Sequence, residues 1–209
     1  MSVPDFIPPD SVLTVMAHPD DAELWAGGTL ARCSAAGAVV TIAVPHHPEP
    51  RASEAAAGAT ALNAGLHQIE RPGAAAVREL LLETRPEVVL THPLRDVHPD
   101  HRRIAEALLE ALPEVVITTG RPRRVYTVDT YNGLTLDGPI PAHTIVDVSR
   151  TWATKQGALA AHVSQPIATH FGPMAQTLAR LWGARVGVTH AENFVPLPVL
   201  GRLTAANFL

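Results

Sequence analysis

The sequence contains little cysteine, few aromatic residues and no excess of positive charge. Among its 209 residues there is one cysteine, Cys33, and the aromatic residues Phe, Trp and Tyr make up 4%. A single cysteine excludes an internal disulfide framework and is typical of proteins in a reducing compartment. The formal net charge of −4 gives no indication of a nucleic-acid partner or of an anionic membrane surface as a partner.

Long hydrophobic runs are also missing. No apolar stretch approaches the roughly 20 residues that a membrane-spanning helix needs. The first ten residues contain Pro4, Pro8 and Pro9 and no basic start, a pattern that does not predict a signal peptide. We therefore expect a cytoplasmic protein without a membrane or nucleic-acid partner, and we leave open whether it forms a homo-oligomer.

Apolar segments of strand length alternate with segments of helical character. Strands are predicted at 11–17, 38–44, 87–91, 115–118, 125–130 and 145–148, and helices at 22–36, 51–64, 74–84, 99–112, 151–162 and 174–183. The segment from His190 onward is expected to lie over the core. This alternation predicts one Rossmann-like α/β domain, residues 1–209, with a mostly parallel sheet flanked by helices.

The first segment with a chemical signature is His18-Pro19-Asp20-Asp21. It follows the first predicted strand and precedes the first predicted helix, which is where open α/β sheets bind ligands. His18 and Asp21 are three residues apart, so one turn of chain can direct both at one metal ion, while Asp20 faces a ligand of that ion. Pro followed by two Asp is also an ordinary helix start, because Pro presets φ and Asp caps free N–H groups.

A second cluster, which runs from Asp96 to His101 as Asp-Val-His-Pro-Asp-His, has the same context. It also follows an apolar strand and opens a helix, and two such clusters indicate a metal site far more strongly than one does. Two His and one carboxylate are a common catalytic zinc set, which leaves a fourth position for water. From the spacing alone, either His98 or His101 can be the third ligand.

The two motifs resemble those of the PIG-L/LmbE-like family of zinc-dependent N-deacetylases. The resemblance extends over nearly the whole chain, through Arg-x-x-Glu at 51–54 and His-Val-Ser-Gln at 162–165. It implies a Rossmann-like deacetylase fold with zinc as the cofactor. It also implies that His18, Asp21 and His101 are the zinc ligands.

The resemblance implies roles for the other residues of the motifs as well. Asp20 would be the general base, which takes a proton from the attacking water and delivers it to the leaving amine. His98 would stabilise the oxyanion as an imidazolium or an N–H donor, and Asp100 would orient and charge His98. Arg51 and Asp96 would contact the substrate. Some sugar-thiol deacetylases of the family carry Tyr at the position of Asp96, so a Tyr-assisted step is not implied here.

These residues together predict zinc-dependent hydrolysis of an N-acyl group, most often acetyl in this family, on a small molecule that contains an amino sugar such as N-acetylglucosamine. Two alternatives stay open: a hydrolase of a non-sugar amide, and a non-catalytic sugar- or nucleotide-binding module. An intact Asp20, and the lack of Gly-x-Gly-x-x-Gly after the first strand, count against the second alternative. The sequence also leaves open whether four further histidines contribute to the pocket, namely His46, His47, His170 and His190.

Overall fold

The computed structural model describes residues 7–203, in which nine strands and six α-helices are found. The strands are β1 Ser11–Val15, β2 Val39–Pro45, β3 Gly65–Ile69, β4 Val88–Thr91, β5 Arg124–Thr127, β6 Leu134–Thr135, β7 Gly138–Pro139, β8 Thr144–Asp147 and β9 Ala191–Leu197. The helices are α1 Asp21–Ala35, α2 Arg51–Ala61, α3 Ala74–Thr84, α4 Pro99–Thr119, α5 Trp152–Leu159 and α6 Gly172–Val186. Across this part of the chain, no helix combines the length and the apolar character needed to cross a membrane.

Seven strands form one sheet with the order β3-β2-β1-β4-β5-β9-β8. The strands β1 to β5 run parallel to one another, and β9 runs antiparallel to both β5 and β8. Parallel neighbours need a crossover between them, and the helices α1 to α4 provide the four crossovers. The predicted Rossmann-like α/β fold with a mostly parallel sheet is therefore confirmed. The single domain over residues 1–209 remains a prediction.

The central strand β1 is buried on both faces, which explains its continuous apolar sequence. Val12 and Met16 pack into a hydrophobic core with α1, α5 and α6, whereas Leu13 and Val15 pack into a second core with α3 and α4. Both faces of the strand are therefore occupied by packing. Functional side chains are therefore expected at the carboxyl end of the strand, where the chain leaves the sheet.

One predicted strand, at 115–118, is wrong. These residues continue α4, which runs through Pro113 to Thr119. Leu108, Ala111 and Val115 are buried on one face of this helix, at the spacing of an amphipathic helix. The apolar run Val-Val-Ile therefore belongs to a helical pattern that began a full turn or more earlier in the chain.

Four strands were not predicted: the two-residue strands β6 and β7, which pair with each other, and the strands β3 and β9 of the main sheet. Residues 65–69 form β3 at the edge of the sheet, and only Ile69 of this strand is buried, so it lacks a clear apolar signal. The segment from His190 was expected to lie over the core, but β9 lies within the sheet between β5 and β8. Its Pro196 argued against a strand, because proline cannot donate a hydrogen bond to a neighbour.

Helix α1 packs unusually close to its neighbours at Gly28. A Cβ atom on Gly28 would lie 2.6 Å from Cβ of Val148. The backbone N–H groups of Gly28 and Thr29 donate to the carboxylate of Glu192 at 2.9 and 2.8 Å, and Nζ of Lys155 donates to the same carboxylate at 2.6 Å. The missing side chain therefore lets α1 sit against β9, which fixes the position of the N-terminus of α1.

We predict that Gly28→Ala lowers the free energy of unfolding by about 1–3 kcal/mol, because the added methyl group overpacks the contact with Val148. The helix-propensity gain of about 1 kcal/mol opposes this only in part. Gly157→Ala in α5 is the matched control, since no atom lies within 4 Å of a Cβ at that position. Urea unfolding should give a lower midpoint for the first variant and an unchanged or higher midpoint for the second.

Candidate metal centre and active site

The two His/Asp motifs meet at one end of the sheet. The first follows β1 and the second follows β4, and these two strands are neighbours. The chain continues from β1 toward β2 and from β4 toward β5, on opposite sides, so the motifs flank the switch point where open α/β sheets bind ligands. Asp21 begins α1 and Pro99 begins α4, so each motif also lies at a helix N-terminus.

Three atoms of the motifs form a small triangle. Nδ1 of His18 lies 3.1 Å from Oδ2 of Asp21 and 3.3 Å from Nε2 of His101, and the last two atoms are 3.5 Å apart. A tetrahedral zinc ion about 2.0–2.1 Å from each ligand separates the ligand atoms by about 3.3–3.4 Å. The triangle therefore has the size that zinc requires, and its two imidazoles and one carboxylate are suitable zinc ligands.

Asp96 holds the ring of His101 through Nδ1, the ring nitrogen that is not part of the triangle. Its side chain is completely buried, with Oδ2 at 3.0 Å from Nδ1 of His101 and Oδ1 accepting the N–H of His98 at 2.7 Å. Burial alone would raise the pKa of Asp96, but the hydrogen bond and the charge of His101 outweigh it and hold this pKa below its usual value. This position does not fit the substrate contact expected from the sequence, because both oxygens are engaged inside the protein. Asp96 instead fixes the ring of His101.

His92 is a site residue that sequence reasoning missed. It follows β4 directly, is completely buried, and stacks on the ring of His101 with 3.7 Å between centroids. Its Nε2 lies 3.1 Å from Oδ2 of Asp21 and 3.1 Å from the backbone N of Ala17. Asp21, His92 and His101 thus form a second group with the residue types of a metal site. The available signal was its position at the carboxyl end of a central strand.

Asp20 contacts Arg51 beside the triangle. Nη2 of Arg51 donates to Oδ1 of Asp20 at 3.0 Å, and the Asp20 residue is only 5% exposed. Burial raises the pKa of Asp20, the negative charge of Asp21 raises it further, and the guanidinium of Arg51 opposes both effects. Arg51 begins α2 as predicted, and in this structure its partner is the carboxylate that the sequence analysis identified as the general base.

His98 receives a hydrogen bond from the backbone. It precedes α4, and its Nδ1 accepts the N–H of Asp100 at 3.2 Å. Burial, together with the charges of His101 and His18, lowers the pKa of His98. A neutral ring that accepts at Nδ1 carries its proton on Nε2. His98, His18 and His101 also have nitrogen atoms within 4.8 Å of one another, but Nδ1 of His98 is already occupied.

The carboxylate of Asp100 makes no hydrogen bond with His98, although the charge of His98 helps to hold the pKa of Asp100 below its usual value. Its Oδ1 accepts a hydrogen bond from Nη1 of Arg103 at 2.5 Å, and its Oδ2 lies 3.7 Å from Nε2 of His18. His98 caps the helix that Asp100 enters, so the hydrogen bond between the two residues runs from the backbone N–H of Asp100 to Nδ1 of His98. The contact between the two residues is therefore made by the peptide group.

Tyr131 is a second residue that the sequence did not single out. It lies in the short turn after β5, and its ring stacks on that of His101 with 5.6 Å between centroids and 19° between planes. Burial raises the pKa of Tyr131, and the charges of Asp21 and Asp20 raise it further. The phenol therefore stays protonated over the whole physiological pH range.

Two of the four further histidines lie beside the triangle. His46 and His47 line a cavity of about 430 Å³ together with His18 and Arg103, and the rings of His47 and His18 are 6.3 Å apart. His170 and His190 lie elsewhere. The first packs on Phe171 at 4.9 Å, and the second stacks on Trp152 at 4.4 Å.

Comparison with protein families agrees with the motifs. Residues 13–112, which are 100 of the 209 residues, match the family model described as PIG-L: GlcNAc-PI de-N-acetylase. The matched segment contains both motifs and every candidate site residue except Tyr131. The predicted resemblance to the PIG-L/LmbE-like family is therefore confirmed over this segment. No functionally curated protein matches the sequence significantly.

Solved structures share the fold at low sequence identity. The conserved protein TT1542 from Thermus thermophilus is 24% identical, with a TM-score of 0.78 over 94% of this chain and 97% of that chain. The N,N'-diacetylchitobiose deacetylase from Pyrococcus horikoshii is 20% identical, with a TM-score of 0.73 over 95% and 88%. GalB, the 4-carboxy-2-hydroxymuconate hydratase from Pseudomonas putida, is 19% identical, with a TM-score of 0.75 over 94% and 99%. The likeness establishes the fold, and the reactions of these proteins differ.

We predict that the protein binds one zinc ion per chain and that Asp96→Asn weakens this binding by about 10–100-fold, the usual effect of losing a carboxylate behind a metal-binding histidine. Asn keeps the shape of Asp96 but removes its negative charge. It also replaces one carboxylate oxygen by an NH2 group, which cannot accept a hydrogen bond from Nδ1 of His101 or from the N–H of His98. Asp137→Asn is the control, because Asp137 is exposed and pairs with Arg95 at the surface. Competition with a zinc chelator measures both affinities. Equal affinities in the two variants would contradict a supporting role for Asp96.

Proposed function

We propose that this protein is a zinc-dependent hydrolase that removes an N-acetyl group from a small molecule containing an amino sugar. The observation that carries the proposal is the triangle formed by His18, Asp21 and His101, with Asp20 beside it. This arrangement combines a set of zinc ligands with a separate carboxylate that can transfer protons, and metal-assisted amide hydrolysis requires both.

His18, Asp21 and His101 would hold the zinc ion. Zinc bound there supplies Lewis acidity, which polarises an amide carbonyl and lowers the pKa of water to about 7. Asp96 accepts from Nδ1 of His101, so the proton of the neutral ring stays on Nδ1 and the lone pair of Nε2 points into the triangle.

Asp20 has the environment of a general base. Its raised pKa, caused by burial and by Asp21, brings the carboxyl group closer to the range useful for proton transfer near neutral pH. Arg51 holds Oδ1 of Asp20, which leaves Oδ2 to take a proton from the attacking water and to pass it to the amine nitrogen as the amide bond breaks.

His98 serves as a neutral donor in this proposal. The N–H of Asp100 occupies Nδ1 of His98, and the lowered pKa of the ring disfavours the imidazolium form. Nε2–H is then free to donate to the amide oxygen as negative charge develops on it. The structure thus favours the N–H donor over the imidazolium, the two forms that the sequence analysis left open.

An amino-sugar substrate is supported by the family description and by the cavity next to His18. The family model is described as GlcNAc-PI de-N-acetylase, and the similar protein from P. horikoshii is an N,N'-diacetylchitobiose deacetylase. The cavity of about 430 Å³ is in the range of small-molecule sites, and His47 and Arg103 give it polar edges. Because GalB shares the fold but is a hydratase, the fold alone cannot choose the reaction.

The proposal includes a cytoplasmic location and a small-molecule partner. The buried Cys33 is a free thiol, as expected in a reducing compartment. The net charge of −4 gives no support to a polyanionic partner such as nucleic acid.

A panel of N-acetylated amino sugars and simple N-acetyl amides tests the proposal, with zinc-loaded protein and detection of the free amine. Release of amine from at least one sugar, faster than from the simple amides, is the expected result. Amine release from the simple amides alone would favour the non-sugar alternative. Binding of sugars without any release of amine would favour the non-catalytic module.

The roles of two residues can be separated by comparing Asp20→Asn with His101→Ala. Asn cannot accept the proton from water, so Asp20→Asn should keep its zinc while kcat falls by roughly 10²–10⁴-fold, the scale of general acid–base catalysis. His101→Ala removes a ligand, so zinc content and activity should fall together. Metal analysis alongside steady-state rates checks both. Loss of zinc from Asp20→Asn would show that Asp20 is a ligand and that the proposed role is wrong.

Arg51→Ala should change both KM and the pH profile. The family resemblance implies that Arg51 contacts the substrate, and loss of such a contact raises KM more than it lowers kcat. The guanidinium also lowers the pKa of Asp20, so its removal raises that pKa, and the base becomes protonated at a higher pH. The acid limb of kcat/KM should therefore move to higher pH. Arg78→Ala, which removes a surface pair with Glu114, is the control and should leave the profile unchanged.

A further inference from the structure

The ring of Tyr131 is held by aromatic neighbours on several sides. It stacks on His101, meets the ring of Trp25 edge-on at 5.4 Å, and lies 6.0 Å from the ring of Phe171. His92 stacks on His101 as well, so three rings follow one another in layers. A ring packed in this way has few alternative rotamers, and the direction of its phenol oxygen is therefore fixed.

The turn that carries Tyr131 is anchored by the buried carboxylate of Asp129. Oδ1 of Asp129 accepts the N–H of Thr130 at 2.8 Å, and Oδ2 accepts Nε1–H of Trp182 at 2.5 Å. The N–H of Gly133 donates to the carbonyl of Thr130 at 2.9 Å and closes the turn. Burial of a carboxylate is unfavourable unless the group is hydrogen-bonded. The two hydrogen bonds of Asp129 meet this requirement, and they fix the backbone that carries Tyr131.

The phenol O–H of Tyr131 has no hydrogen-bond partner among residues 7–203. The ring that carries this hydroxyl lies against His101, and the charges of Asp21 and Asp20 both raise the pKa of the phenol. The residue is half-buried, which leaves the hydroxyl within reach of a ligand. A rigidly held donor without a partner, next to candidate catalytic groups, is available to a bound substrate.

We propose that Tyr131 donates a hydrogen bond from its phenol to the amide oxygen of the substrate and, with His98, stabilises the charge that develops there. This inference rests on the proposed deacetylase function and adds a catalytic residue from outside both motifs. The proton stays on the phenol throughout, and no bond to Tyr131 forms or breaks. Two donors from different elements would then meet one oxygen, as in other oxyanion-binding sites.

A competing role for Tyr131 is apolar contact between its ring and the sugar. The substitution Tyr131→Phe distinguishes the two roles. Phe keeps the ring, the stacking on His101 and the contact with Trp25, and it removes only the O–H group. An apolar contact predicts that Tyr131→Phe behaves as the unmodified protein, whereas a donor predicts a loss in kcat.

The test compares Tyr131→Phe with Tyr126→Phe, the same change at the other tyrosine of the chain. Tyr126 lies in β5 and lines a different cavity, with Val12 and Cys33. With zinc-loaded protein and the best substrate of the panel, Tyr131→Phe should keep its zinc and its KM while kcat falls roughly 10²-fold, the cost of one oxyanion donor. Tyr126→Phe should match the unmodified protein. Unchanged kcat, or a rise in KM alone, would overturn the proposal.

A second measurement keeps the inference testable if no panel compound is hydrolysed. Acetohydroxamic acid presents a carbonyl oxygen and a metal-binding group, and its affinity for the zinc-loaded protein can be measured by calorimetry. Tyr131→Phe should weaken this affinity by about 10-fold or more relative to Tyr126→Phe, since hydrogen bonds to charged groups contribute most. A weaker affinity without hydrolysis would mean that the proposed substrate is wrong and the donor stands. Equal affinities, or no binding by the unmodified protein, would reject Tyr131 as a donor.

Discussion

The site depends on one buried carboxylate oxygen, Oδ2 of Asp21. The backbone N–H of His18 donates to it at 2.8 Å, and imidazole nitrogens of His18, His92 and His101 lie 3.1, 3.1 and 3.5 Å away. Burial would raise the pKa of Asp21, yet these neighbours hold it well below its usual value. A buried negative charge is stable only when it is paired, and a cation between the same atoms would satisfy the carboxylate and the imidazoles together.

The remainder of the fold keeps this oxygen in place. Asp21 is the first residue of α1, so the position of that helix determines the site. Gly28 allows the close approach, and Glu192 accepts from the backbone of α1 and from Lys155 in α5. The contact with Glu192 joins α1 to β9, although β9 lies far from Asp21 in the sequence. A strand at the end of the chain thereby stabilises a motif near its beginning.

The arrangement of the histidines explains why two neighbouring imidazoles can have different roles. His101 is fixed by Asp96 with its proton on Nδ1, whereas His98 is fixed by the N–H of Asp100 with its proton on Nε2. The first ring therefore offers a lone pair to the triangle, and the second offers a donor. Since similar folds occur in a deacetylase and in a hydratase, the sheet alone does not determine the reaction.

The sequence by itself determined the features that depend on residues close to one another in the chain. Strand periodicity, the spacing of His18 and Asp21, and the position of both motifs after strands were enough to predict the sheet and the meeting of the motifs. The tertiary structure alone decided which groups reach the site from elsewhere. His92 and Tyr131 belong to neither motif. The ring of Tyr131 meets that of His101 because β4 and β5 lie side by side, whereas His92 meets it through the path of the chain between β4 and α4. The partners of Asp96 and Asp100 depend on side-chain direction at the start of α4, which residue spacing does not specify.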